Sequence, residues 1–280
     1  MCIRDSSDSY STITKYDNPT GTLNDLYVGK RLGEIWGYTT DGFIMDAAEA
    51  AEQSKRQSYI SNTWIPGDIR YADLNGDGVV NEGDSEKGPI NTLSNHGDKS
   101  IIGNETPRYR FNINLGLSWK NFDVRALFEG VLKRDLWLGN EVFWGFSGVW
   151  NSAINDYHVD NSWSEDNPNA YYPVPLFNSD RSRKTQTKYL QNASYIRLRD
   201  LTIGYTLPKK WLEPVGISQL KIFFSGQNLW EATGLYKYVD PDMTGNTYQK
   251  SSDGMVGTLN SDMKSYPFCR SYSFGINLTF

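Results

Sequence analysis

The last nine residues place Tyr272, Phe274, Ile276, Leu278 and Phe280 at every second position, with Ser273, Gly275, Asn277 and Thr279 between them. Successive side chains of a strand point to opposite faces, so this segment reads as a strand with one apolar and one polar face. It also stops on an aromatic residue. Such a strand has two homes: the edge of a soluble sheet, or a wall whose apolar side meets lipid.

The pattern recurs upstream. Tyr109, Phe111, Ile113, Leu115, Leu117 and Trp119 alternate with Arg110, Asn112, Asn114, Gly116 and Ser118. After Lys120 and Asn121 the alternation restarts, with Phe122, Val124, Ala126 and Phe128 opposite Asp123, Arg125 and Glu129, which predicts a tight hairpin. Further strands are predicted over 196–207, clearest at Leu201, Ile203, Tyr205 and Leu207, and over 220–230, with Leu220, Ile222 and Phe224 on one face. Faces carrying Arg, Asp and Glu need water, which the outside of a sandwich and the lumen of a barrel both supply. An earlier strand is predicted within 27–43, around 32–38, and the Ala- and Glu-rich stretch 45–57 predicts a short helix. No repeat of fixed period appears, which argues against propellers and solenoids.

Composition narrows the classes. At 280 residues and a net charge of -5, the chain has no general nucleic-acid-binding surface. Apolar residues make up 38% and aromatics 14%, with 18 Tyr and 9 Trp, and amphipathic rings suit both membrane interfaces and sugar-stacking surfaces. No apolar run approaches the roughly 20 residues of a membrane helix, whereas a barrel strand needs only about 9 to 11. Cys2 and Cys269 are too few for a disulfide scaffold or a zinc cluster. Residues 1–6 lack the layout of a secretion signal and resemble translated sequencing-adapter read-through. The expectation is therefore a non-native start followed by a partial protein over 7–280.

The connections discriminate further. The turn at Lys120 and Asn121 and the stretch 208–217 are short, whereas 45–107, 139–194 and 232–266 are long. Loops beyond about 15 residues are uncommon in compact soluble domains, but short turns at one end and long loops at the other are the rule for outer-membrane barrels. A final strand ending in the periplasm puts both short connections on the periplasmic side and all the long ones outside the cell. An aromatic last residue also resembles the end of a barrel's closing strand.

Five ordered blocks then name a family. They are 67–78, running GDIRYADLNGDG; 102–109, IGNETPRY; 195–208, YIRLRDLTIGYTLP; 226–230, GQNLW; and the closing Phe280. Together they resemble the carboxy-terminal third of SusC/RagA-type TonB-linked outer-membrane transporters. The resemblance implies an all-β fold: a transmembrane antiparallel β-barrel of about 22 strands plugged by an amino-terminal domain, with about six of the strands and long extracellular loops present here. It implies an outer-membrane location in a Gram-negative, Bacteroidetes-like cell and import of oligosaccharides or peptides. The partners it implies are a SusD-like lipoprotein, the TonB–ExbB–ExbD complex acting through the missing amino-terminal part, outer-membrane lipid and the barrel assembly machinery, for which Phe280 is the signal. The closing strand then needs a first strand that is not in this chain. The rival reading is a secreted β-sandwich that binds carbohydrate.

Candidate sites follow from residue types. Asp73, Asn75, Asp77, Asn81 and Asp84 stand at positions 1, 3, 5, 9 and 12 of a calcium loop, Gly78 takes position 6, and the carbonyl of Val79 supplies a further oxygen. Asp84 replaces the usual bidentate Glu, as in dockerin-type loops, and no helical pattern flanks the loop. A structural Ca²⁺ ordering an outer loop is one reading; a solvent-facing Asx- and Gly-rich turn is the other. Trp144, Trp150, Trp163, Tyr171 and Tyr172 share one outer segment with Asn151, Asn155, Asp156 and Asp160. Rings stacking on sugars and amides reaching hydroxyls would suit ligand capture; loop packing and contact with the lid partner are the alternative. Arg197 and Arg199 would face lipid if the strand kept one register through Leu201 and Ile203, at a high cost near the midplane. Either a bulge near Asp200 switches faces, or both arginines sit in the headgroup region; the second is expected because the chain enters from outside. No catalytic residue and no organic cofactor are expected. His96 and His158 stand in no metal or triad motif, and acids such as Glu165 and Asp166 are ordinary in solvated loops.

Overall fold

The computed structural model describes residues 2–139, 141–145, 156–176, 179–242, 248–250, 256–258 and 267–280. In chain order the strands are β1 (Cys2–Ser7), β2 (Glu34–Tyr38), β3 (Thr40–Phe43), β4 (Ile69–Tyr71), β5 (Lys99–Asn104), β6 (Arg108–Trp119), β7 (Phe122–Lys133), β8 (Asp135–Trp137), β9 (Leu190–Asn192), β10 (Tyr195–Thr206), β11 (Gln219–Thr233), β12 (Tyr248–Lys250), β13 (Val256–Thr258) and β14 (Ser271–Thr279). Six of them make one antiparallel sheet in the order β1-β6-β7-β10-β11-β14. From β6 onward sequence neighbours within this sheet are spatial neighbours, which is the up-and-down arrangement of a barrel wall. No helix among the described residues is long and apolar enough to cross a membrane.

Register sorts the two faces. One row runs Leu117, Val124, Ile203, Phe224 and Phe274 across the sheet, and the next polar row runs Gly116, Arg125, Thr202, Ser225 and Ser273. The apolar side is left uncovered: Leu117, Trp119, Ile203, Ile222, Tyr272, Phe274 and Ile276 are all exposed. From Phe111 to Trp119 this face rises roughly 27 Å along β6, which at the usual barrel tilt is roughly 20 Å of height, most of an apolar lipid band of about 25 Å. A sandwich would bury these side chains under a second sheet, and among the described residues nothing packs there.

The buried core lies elsewhere. Tyr38, Phe43, Ile44, Trp64, Ile69, Tyr71, Leu136, Leu138, Phe143, Trp144, Trp163, Tyr172, Tyr189 and Tyr236 form one cluster, contributed by the long connections and the loop-side ends of the strands. Within it β2 pairs with β5, β3 with β4, and β8 with β9, while β12 pairs with β13 in a further hairpin. The helix expected at 45–57 is α1 (Ala47–Arg56), capped by Asp46, whose carboxylate accepts the Glu49 N–H. Past its end, Gln57 is fully buried; its side-chain oxygen accepts the Tyr71 N–H at 2.6 Å and its amide donates to the Ile69 carbonyl at 3.3 Å. The long segments therefore fold as a cap with its own core.

Two expectations are corrected. The segment 32–38 does form a strand, β2, but in the cap rather than the wall. It is too short to cross lipid, and Ile35 and Tyr38 are buried among cap residues, whereas a wall strand leaves one face open. The sixth strand of the sheet is β1, laid along β6 from Cys2 opposite Leu115 to Ser7 opposite Arg110. This is the stretch expected to be non-native; ladder bonds are made by backbone groups that any extended segment supplies, and every β1 side chain is exposed.

The second correction concerns Arg197 and Arg199. Opposite β7, β10 carries one extra residue between Leu198 and Asp200, a bulge at Arg199, whereas opposite β11 the extra residue lies on β11 between Gln227 and Trp230. Arg197 then shares the polar face with Asp200 and Thr202, while Leu198, Leu201 and Ile203 share the apolar one. The bulge, the alternative set beside a headgroup position, is present and puts Arg197 on the polar face.

Close approach makes Gly67 a stress point of the cap. Its φ of +88° suits glycine, and an added Cβ would lie 2.3 Å from the Trp163 ring. Gly67→Ala is expected to destabilise the cap by about 2 to 4 kcal/mol through overpacking and left-handed strain. Thermal unfolding of the whole protein followed by tryptophan fluorescence measures it, and an unchanged transition would show that the cap yields there without cost.

Candidate functional site

The aromatic group predicted for sugar stacking is mostly core. Trp144, Trp163 and Tyr172 are 3%, 7% and 2% exposed, and Tyr171 packs against the same cluster. The Trp144 and Tyr189 rings lie 4.7 Å apart, Tyr172 stacks on Tyr189 with 9° between planes, and the Trp144 indole donates to the Leu138 carbonyl at 2.8 Å. These ring faces are taken up by one another, so burial places them in packing rather than on an open capture surface. Trp150, Asn151 and Asn155 lie outside the described residues. Both histidines have local partners: the His158 ring nitrogen lies 2.9 Å from the Phe143 carbonyl, and His96 packs against Trp36.

The 73–84 loop folds as an Asx-rich turn. Asp73 accepts the Gly76 and Gly78 N–H groups at 2.7 and 2.8 Å, Asn75 accepts from Asp77 and Asp77 from Val79, each at 2.9 Å. Burial opposes the charge of Asp73, but these N–H groups and Arg56 outweigh it and hold its carboxyl below the usual range. Asp98, sequence-distant and fully buried, ties the loop by accepting from Leu74, Asn75 and Asn81, and its burial pushes its pKa up. Asp84 turns away: it caps the 3₁₀ turn at Ser85–Lys87 and pairs with Lys87, while Asn81 accepts from Gly83. No three His, Cys, Asp or Glu side chains among the described residues converge as a metal group. Asp73, Asn75 and Asp77 thus share one turn with Val79 in which their side-chain oxygens accept the loop's own N–H groups, and Asp84 does not join them.

A cluster that the sequence reading did not assemble sits where the polar face meets the cap. Arg197, 2% exposed, donates through Nε to Glu231 at 2.7 Å and through Nη2 to Asp240 at 2.6 Å, and its Nη1 lies 3.5 Å from Asp242. Arg199 reaches Glu129 at 3.2 Å and the same Asp242 at 3.5 Å. Phe268 covers both guanidinium groups, 5.1 and 4.6 Å from its ring centre, and its N–H donates to Asp240 at 3.0 Å. Burial opposes the charge of Asp240 as well, yet the Phe268 N–H and Arg197 keep its carboxyl low. Two arginines therefore hold both stalks of the segment between β11 and β14. Beside them opens a groove of about 450 Å³, lined by Arg110, Asn112, Glu129, Arg134, Tyr195 and Asp242, with the Tyr195 hydroxyl donating to Asp242 at 3.1 Å. The visible signal was Asp240-Pro241-Asp242 just past a strand, but only the fold brings it to Arg197.

No protein-family model matches the chain. Over 91% of its length it is 28% identical to TonB-dependent receptor P3 of Formosa agariphila, and over 77% it is 24% identical to TonB-dependent receptor P26 of the same organism. Its whole length is also similar in structure to a chain of the RagAB peptide transporter, with a TM-score of 0.58 at 21% identity, and to one of the RagAB peptide importer in the open-open state, at 0.56 and 20%. The chain covers 23% and 20% of the two receptors and 27% of each solved chain, so it spans about a quarter of the length of the proteins it matches. The resemblance to SusC/RagA-type receptors read from the motifs is borne out, and the fold is that of part of a TonB-dependent transporter barrel.

Proposed function

We propose that this chain supplies part of the wall and the outer cap of a TonB-dependent importer in an outer membrane, working with a SusD-like surface lipoprotein. The observation that carries the reading is the sheet itself: from β6 to β14 one face is apolar and uncovered and the other charged and ion-paired, with short turns at one end and a folded cap at the other. A lipid-facing wall around a wet lumen requires that division. Receptors and peptide transporters among the similar proteins support import over enzymatic work. The cargo is an oligosaccharide or a peptide. Removing the gene for the whole protein should abolish TonB-dependent uptake of one of these classes; unchanged uptake of both labelled oligosaccharides and labelled peptides would overturn the reading.

The cap also suits a structural calcium ion, held by Asp73, Asn75, Asp77 and the Val79 carbonyl, with Asn81 nearby. Its role would be to stabilise the folded cap. With Asp84 turned away the site is weak, so we expect calorimetric titration to give a Kd on the order of 0.1 to 1 mM, lost in Asp73→Ala. Absence of heat at 10 mM calcium would leave the loop as a plain Asx turn. Phe280, 83% exposed beyond β14, is available as an aromatic signal for barrel assembly, and Phe280→Ala should lower the assembled fraction. An equal yield in the membrane fraction would remove that role.

A further inference from the structure

The short-turn rim concentrates unpaired positive charge beside exposed indoles. Lys120 occupies the hairpin with φ 53°, and its ammonium lies 4.7 Å from the centre of the Trp119 ring. A backbone bond of 2.9 Å from Thr206 to Asn121 ties this hairpin to the end of β10, and the Phe122 and Tyr205 rings meet at 4.6 Å across the same rim. Directly after β10 comes α2 (Lys209–Leu212), which buries Leu212 and leaves Trp211 66% exposed; Trp119 is 63% exposed. The acids do not cancel these lysines: Asp123 pairs with Lys221 on the polar face at 2.8 Å, and among the described residues Lys120, Lys209 and Lys210 have no carboxylate at ion-pair distance. At the opposite end the arginines are neutralised by Glu129, Glu231, Asp240 and Asp242. An excess of positive charge, three lysines against the nearby Glu213, set next to indoles at the border of an apolar face, suits a surface that is anionic just above a hydrocarbon layer.

We infer that Lys120, Lys209 and Lys210, with Trp119 and Trp211, form a binding site for anionic glycerophospholipid headgroups on the short-turn rim. The inference rests on the membrane-wall reading proposed above. Phosphate oxygens would meet the ammonium groups while the indoles sit at the level of the ester carbonyls. The phospholipid leaflet is chosen because this rim lies at the end opposite the cap.

The test is native mass spectrometry of the whole protein titrated with phosphatidylglycerol, phosphatidylcholine or lipid A, for the wild type and for the triple variant Lys120→Gln, Lys209→Gln, Lys210→Gln. The wild type should prefer phosphatidylglycerol to phosphatidylcholine, and the variant should bind phosphatidylglycerol on the order of tenfold or more weakly with phosphatidylcholine unchanged. Equal phosphatidylglycerol binding by both proteins, or a charge-dependent response to lipid A alone, would overturn it. Heat-modifiable migration of the same preparations separates the two levels. A wild type that never folds into bilayers defeats the membrane-wall reading, whereas one that folds but shows no anionic preference defeats only the lipid site.

Discussion

Arg197→Ala in the whole protein is expected to lower stability by about 3 to 5 kcal/mol and to free the segment between β11 and β14 for proteolysis. The argument is electrostatic. Arg197 is almost fully buried and faces Glu231, Asp240 and Asp242, so its removal leaves carboxylates close together without their cation. A buried charge stripped of its partner costs far more than the intact pair contributes, and Phe268 loses one of the two cations beneath its ring. Arg197→Lys should recover only part of the loss, since an ammonium cannot present the planar fork that spans Glu231 and Asp240 together. Limited proteolysis resolved by mass spectrometry should show early cuts within 234–270 in the Ala variant, fewer in the Lys variant and fewest in the wild type. If the three digest and melt alike, the arginine does not hold these stalks.

The wall was legible from sequence because its signal is local. Period-two alternation along 109–119 or 272–280 reports directly which side of the strand each residue takes, and the two-residue turn fixes the β6–β7 register with Trp119 opposite Phe122. The cap was not legible, because its order comes from contacts between distant segments. Asp68 bonds to Ser182, Tyr71 to the carbonyl of Arg181, and Thr40 to Gln186, and none of these pairs leaves a trace in periodicity. The aromatics of 144–172 were visible, yet whether rings pack on each other or face solvent depends on Tyr189 and Tyr236 arriving from other segments to meet Phe143 and Trp144. The bulge at Arg199 lay between these extremes. A conflict between charge and register exposed the problem, but only the pairing with β7 shows that β10 resolved it by inserting a residue.

Adjacent residues on β14 provide the sharpest test of what the apolar face meets. Phe274 is 82% exposed and lies in the row with Ile203 and Phe224, whereas Ser273 points to the polar side opposite Ser225. If that face contacts lipid, Phe274→Arg puts a charge into hydrocarbon at a cost of about 2 to 4 kcal/mol near the midplane, while Ser273→Arg enters a wet face for little cost. If the face instead met water, the difference would vanish, because replacing an exposed Phe by Arg is neutral or favourable to solubility. The measurement is the fraction of the whole protein that reaches the membrane and migrates as a heat-modifiable species. We expect Phe274→Arg to reduce it several-fold and Ser273→Arg to leave it near wild type. Equal yields for the two variants would show that this face does not meet lipid, and the uncovered apolar rows would then require a protein layer to cover them.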